Sequence, residues 1–198
     1  MIKLIIFDLS GVCFTNEEPP YIIELCKKYD YNHKEFDELY QSMLVKAEVG
    51  KLTGEEVWSA LIEKYNIPKT IFQIVDEMME LKEAKLDTLG FASNLKNKVI
   101  TVYLTNYCKL YWDAISSKFD MSRWFSDGFV SYQLGFRKPA RQCFEIIMKK
   151  YKIKAEEIIF IDDSLLNLKE AISLGIKAII FKDINQLKKE LINLGIKA

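Results

Sequence analysis

The sequence predicts an α/β fold in which a doubly wound parallel sheet carries a bundle of helices inserted after its first strand. Three observations lead there. Short apolar runs rich in branched residues recur along the chain without strict alternation, as strands covered on both faces require. Helical periodicity separates the later runs, giving the strand–helix alternation of a parallel sheet. Residues 16–84, by contrast, contain no convincing strand and read as four helices.

The first strand is predicted at residues 4–7. Within 16–84, one apolar stripe joins Phe36, Leu39, Tyr40, Met43, Leu44 and Ala47. A second joins Val57, Trp58, Leu61, Ile62 and Tyr65, and a third Ile71, Phe72, Val75, Met78 and Met79. Thr53 with Glu56 three residues later makes a capping box, Pro68 suits the first turn of the next helix, and His33 sits at a helix start. A crossover needs only about a dozen residues. The predicted division is therefore a core of residues 1–15 and 85–198 with a helical lid at 16–84. Further strands are predicted at 99–104, more weakly at 129–132, then at 158–161 and 178–181. Helices are predicted through Phe144, Ile147, Met148 and Tyr151, through Leu168, Ala171 and Ile172, and through Leu187 and Leu191.

Of 198 residues, 49% are apolar and 28% charged, enough to bury a core. Twenty-eight basic residues balance twenty-eight acidic ones, so no global field favours nucleic acid or a membrane surface. Cys13, Cys26, Cys108 and Cys143 form no C-x-x-C pair, and the single His33 cannot complete a zinc set with them. They read as small core residues in a reducing compartment. The N-terminal apolar run stops at Asp8, too soon for a signal sequence, so a cytoplasmic monomer or small homo-oligomer is expected.

Parallel sheets bind ligands at the carboxyl ends of their strands. Asp8 ends the first run, Thr105 and Asn106 follow the second, Asp162 and Asp163 follow the run at 158–161, and Lys138 lies in Gly-Phe-Arg-Lys-Pro before a helix. Three carboxylates so close must be partly protonated or neutralised by a cation. Hard oxygen ligands without histidine or thiolate favour magnesium, which leaves coordination positions for a substrate phosphate. Lys138 and the Thr105 hydroxyl would then hold phosphate oxygens, with backbone N–H groups around Gly11 cradling them. Singly, each residue has a plainer explanation: strand-end acids often cap helices, as Asp163-Ser164 could cap the helix near Leu165, and Lys138 could be a surface charge. Their ordered convergence on one edge is what carries weight.

These residues resemble the haloacid dehalogenase superfamily, whose core is Rossmann-like. Phe7-Asp8-Leu9-Ser10-Gly11-Val12 is similar to its first motif, Leu104-Thr105-Asn106 to the second, Gly135-Phe136-Arg137-Lys138-Pro139 to the third, and Ile161-Asp162-Asp163-Ser164 with Asn167 to the fourth. The Leu174-Gly175-Ile176 step is also similar, and the insertion resembles an α-helical cap whose loop Glu48–Thr53 faces the active site, with Lys46, Glu48 and Lys51 as specificity candidates. The resemblance implies a hydrolase acting on a small phosphorylated metabolite, with Asp8 as nucleophile and an aspartyl-phosphate intermediate. It implies Mg2+ on Asp8, the Ser10 backbone carbonyl and Asp163, with Asp162 acting through a water. It also implies phosphoryl contacts from Thr105, Asn106 and Lys138. Asn167 would orient metal waters or Lys138, or simply cap a helix.

One position departs from the pattern. Two residues after the nucleophile, where the superfamily's phosphatases carry an aspartic acid for proton transfer, stands Ser10. General acid–base help is typically worth ~10²–10⁴ in rate. Two other function classes therefore stay open: a phospho-ligand binding protein with little turnover, and a 2-haloacid dehalogenase, which works without metal. Cys13, Trp58, Trp112 and Trp124 read as packing residues.

Overall fold

The computed structural model describes residues 1–16 and 18–196. Strands β1 (Leu4–Phe7), β2 (Ile100–Thr105), β3 (Asp127–Val130), β4 (Ile158–Asp162) and β5 (Lys177–Ile180) form a wholly parallel sheet in the order β3-β2-β1-β4-β5. β1 is central and all four of its residues are buried, which is why its sequence is uniformly apolar. Ile5 and Phe7 face one core with α5 (Leu86–Leu95) and α10 (Ile184–Asn193). Leu4 and Ile6 face the other with α8 (Arg141–Tyr151) and α9 (Leu165–Ser173). The predicted doubly wound architecture is thus present. Among the described residues no helix is long and apolar enough to cross a membrane.

Between β1 and α5 the chain forms α1 (Glu18–Tyr29), α2 (His33–Ala47), α3 (Gly54–Tyr65) and α4 (Ile71–Glu80). Asn32 caps α2, and the Thr53–Glu56 capping box is complete, with bonds of 2.7 and 3.0 Å. The stripes bury largely as predicted. Trp58, Tyr40, Phe36 and Leu61 share one core with Tyr111 and Ile115 of α6 (Lys109–Lys118), so this bundle packs on a helix of the sheet layer. Buried hydroxyls join across that seam: Trp58 Nε1 donates to Tyr111 Oη at 2.7 Å, and Tyr40 Oη pairs with it at 2.9 Å.

Several expectations are corrected. Pro68 lies in a bend, and α4 starts three residues later because Thr70 and Gln73 form its capping box. Phe72 is 75% exposed, and Ile74 takes the buried position instead. Ile172 is exposed as well. The strand predicted at 129–132 occupies Asp127–Val130. Ser131 turns into the short helix α7 (Ser131–Leu134) because its hydroxyl bonds the backbone of Tyr107. β2 and β5 are shifted by one residue from the predicted runs. All four cysteines are buried and unbridged. α5 and α6 were not singled out by the patterning.

Tyr111→Phe deletes the oxygen that Trp58 N–H uses while leaving the ring. A buried unsatisfied donor costs about 1–3 kcal/mol, so the urea midpoint should fall accordingly with an unchanged slope. An unchanged midpoint would mean that the seam does not depend on this bond.

Candidate active site

Register delivers the site. Phe7 pairs with Tyr103 on one side and Ile161 on the other, and Asp8 N–H donates to Ile161 O at 2.9 Å. Three neighbouring strands therefore end together and present Asp8, Thr105 and Asp162 on one edge. Asp8 and Thr105, with Ser10, Asn16, Asp163 and others, line a cavity of about 160 Å3, and Asp162 is buried behind them.

Lys138, only 2% exposed, reaches this edge from the loop after α7. Its Nζ lies 2.7 Å from Asp8 Oδ1 and 2.7 Å from Asp162 Oδ2, so one ammonium bridges two buried carboxylates. Burial disfavours that charge most, but Asp8 and Asp162 together outweigh it and hold Lys138 above the usual lysine range. For Asp8, burial pushes the carboxyl up to about 7 despite Lys138, and Asp162 adds to the rise. Asp163 is also raised, by desolvation first and Asp162 second.

The surrounding bonds fix these groups. Asn106 Oδ1 accepts from Lys138 N at 2.8 Å, and its Nδ2 donates to Lys138 O at 3.2 Å. Asn106, expected on phosphate, thus holds the backbone that aims Lys138. Asn167 Nδ2 donates to Asp162 Oδ1 and Oδ2 at 3.0 and 3.2 Å, and Ser164 N donates to Oδ1 at 2.9 Å. Asn167 therefore orients Asp162, rather than Lys138 or a helix end. The Gly11 N–H itself donates to Phe14 O at 2.9 Å. Gly11 matters for another reason: at φ +79°, a Cβ there would stand 1.9 Å from Asp163 Oδ2.

The donor set fits a hard divalent cation. Asp8, Asp162 and Asp163 each offer a carboxylate oxygen, and these lie within 4.8 Å of one another. Asp162, already accepting from Lys138, Asn167 and Ser164, suits an outer position. Raised carboxyls in a buried cluster are also what a neutralising ion would relieve.

Sequence reasoning missed several neighbours. Lys85 Nζ donates to the Gly11 carbonyl. Glu48, a specificity candidate by the resemblance, is buried and has an unforeseen partner in Arg137 Nε at 2.5 Å, while Gly50 of the same loop approaches Tyr132 O. Lys46 and Lys51 stay exposed. Ser10 Oγ bonds Tyr107 Oη, which accepts from Lys82 Nζ at 2.9 Å. Only the long-range fold brings these residues together, and no local pattern signals them.

A family model described as haloacid dehalogenase-like hydrolase matches residues 2–175. The chain belongs to that family. It is 27% identical over 202 residues to drimenol cyclase drtB of Aspergillus calidoustus, covering 98% of this chain and 37% of that protein. It is 33% identical over 92 residues to flavin mononucleotide hydrolase 1 of Arabidopsis thaliana, covering 46% of this chain and 37% of that one. The chain thus spans just over a third of the length of these two relatives. A haloacid dehalogenase family enzyme of Bacteroides thetaiotaomicron, solved with magnesium and inorganic phosphate, superposes with a TM-score of 0.81. It is 23% identical, covering 94% of this chain and 99% of that one. That likeness shows the fold.

Lys138→Met should destabilise the protein by about 3–5 kcal/mol, because two buried carboxylates lose their shared counter-charge. Asp8→Asn should cost less, since Asp162 keeps its ion pair. Denaturant unfolding of both variants checks the order, and an equal or reversed order would contradict the bridging role.

Proposed function

We propose that this hydrolase is a magnesium-dependent phosphatase that acts on a small phosphorylated metabolite through an aspartyl-phosphate at Asp8. The observation that carries this reading is the Lys138 ammonium 2.7 Å from both Asp8 and Asp162, beside a third carboxylate on Asp163. Asp8 ends a rigid buried strand, as a nucleophile held for in-line attack should. Its Oδ1 is fixed by Lys138 and by the Leu9 N–H at 2.6 Å. Attack forms a bond between the Asp8 carboxylate and phosphorus as the ester P–O bond breaks. Water then cleaves the acyl phosphate. Lys138 and Thr105, both buried at the cavity, would hold the phosphoryl oxygens.

Asp8, the Ser10 carbonyl and Asp163 would hold Mg2+, with Asp162 acting through a water. The ion would supply positive charge against the phosphate and the crowded carboxylates. Gly11 keeps Asp163 close enough for that arrangement. Residues 16–84 would act as a cap over the cleft, because Glu48 from the loop after α2 reaches Arg137 next to Lys138. A cytoplasmic setting suits the four buried thiols. Flavin mononucleotide enters as a trial substrate through the Arabidopsis thaliana relative's name.

The test is a phosphate-ester panel including flavin mononucleotide, assayed with magnesium or with chelator, for wild type and Asp8→Asn. Activity should vanish in chelator and fall by ~10³-fold or more in Asp8→Asn, as for removal of a nucleophile. Undiminished hydrolysis by Asp8→Asn would overturn the assignment. Tight phosphate-analogue binding without turnover would identify the binding protein that Ser10 leaves open, and halide release from 2-haloacids in chelator would identify a dehalogenase.

A further inference from the structure

The amino ends of the strands, opposite the catalytic edge, border a second hollow of about 580 Å3. The strands begin there at one level: Lys3 N donates to Glu157 O, Ile100 N to Lys3 O and Ser126 N to Thr101 O, at 2.8, 3.0 and 2.9 Å. Two helices end at the same edge, α5 at its C-cap Lys96 and α8 at its C-cap Lys152. Apolar lining comes from Ile2, Val99, Ile100 and Ile153, of which Ile2 and Ile153 are buried. The volume falls within the ~300–1,000 Å3 of small-molecule sites.

Charge sets this hollow apart. The chain is neutral overall, with 28 basic and 28 acidic residues. Yet Lys3, Lys96, Lys98 and Lys152 all line the hollow, and among the described residues no carboxylate does. Lys3 Nζ pairs with Glu157 Oε1 at 2.6 Å, and Lys96 Nζ donates to Ser122 O at 2.9 Å. An ammonium has three N–H donors, so neither contact exhausts its lysine. A lysine at a helix C-terminus commonly offsets the helix dipole. That accounts for Lys96 and Lys152, one to each helix, but does not call for Lys3 and Lys98 beside them.

We infer that this hollow is a second anion site, which takes a linear di- or triphosphate, organic or inorganic. An ammonium binds phosphate as a point charge. Four lysines around one hollow therefore match charge spread over two or three linked phosphates better than a single phosphate. The apolar lining lowers the local dielectric, which strengthens each of those attractions. It also gives the uncharged part of an organic phosphate a surface to lie on. The hollow shares no lining residue with the catalytic cavity, so the inference does not rest on the phosphatase reading.

Calorimetric titration of the full chain in chelator, with ATP, AMP and inorganic tripolyphosphate, provides the test. Chelator keeps the catalytic edge crowded with the carboxylates of Asp8, Asp162 and Asp163, which compete poorly for an anion. ATP or tripolyphosphate should bind one site saturably, and AMP roughly tenfold more weakly or worse. Affinity should fall steeply from about 0.1 M to about 1 M salt, as the Debye length shortens from ~10 to ~3 Å. Lys96→Glu combined with Lys152→Glu should weaken binding by roughly tenfold or more, because each change turns an attraction into a repulsion. Lys34→Glu combined with Lys64→Glu makes the same change of net charge on the helical insertion, where both lysines are exposed, and should leave the affinity unaltered. Tighter binding of ATP than of tripolyphosphate identifies an organic ligand, and the reverse an inorganic one. Lys96 and Lys152 are both at least partly exposed, so their double variant should melt with wild type. Should it fail to fold, Lys96→Gln with Lys152→Gln replaces it, with a several-fold loss expected. AMP matching ATP, the two double variants behaving alike, or no saturable binding at millimolar ligand would each overturn the inference.

Discussion

The Lys138 ammonium, held between Asp8 and Asp162, is the interaction on which the rest of the site depends. Two carboxylates in direct contact with a common cation gain a few kcal/mol each at an effective dielectric near 20. Against this stands a desolvation cost of several kcal/mol per buried ion. The balance is favourable only if geometry holds the charges together, and most of the local architecture serves that geometry. Parallel register ends three strands at one level, Asn106 fixes the Lys138 backbone, and Asn167 with the Ser164 N–H fixes Asp162. The placement of these charges is therefore set largely by backbone register and amide side chains.

The helical insertion is tied to that centre in two ways. Its core is shared with α6, through Trp58, Tyr111 and Ile115, so its burial is completed by the sheet layer. Its two connections to the core are also bonded to one another. Thr15 N donates to Glu83 O and Lys85 N to Cys13 O, both at 2.9 Å, while Lys118 bonds the carbonyls of Met79 and Lys82. The loop carrying Glu48 consequently meets Arg137 from a well-supported base.

The sheet was legible because burial on both faces leaves an unmistakable run, as at Leu4–Phe7 and Ile158–Asp162. Where local propensity and tertiary contact disagree, the pattern misled. Phe129-Val130-Ser131-Tyr132 reads as a strand, yet the Ser131 hydroxyl is claimed by Tyr107 and the chain turns. Phe72 matched a helical stripe whose phase is set by Ile74. The carboxylates of the site could be read because each stands at the end of an apolar run, and Lys138 because it lies in the turn-like Gly-Phe-Arg-Lys-Pro segment before a helix. Their supports could not: Asn106 acts across 32 residues, and Tyr107 reaches Ser10 across 97. Polar side chains in loops carry no periodicity that announces such partners.

The cavity at the strand ends has room for little more than a tetrahedral anion and its counter-ion, about 160 Å3 against the ~300–1,000 Å3 typical of small-molecule pockets. A site so small cannot distinguish one organic moiety from another. In the proposed phosphatase, discrimination would fall to residues outside this cavity, such as the paired Glu48 and Arg137. Lineages sharing this inner chamber could thus diverge in diet by changing the doorway alone.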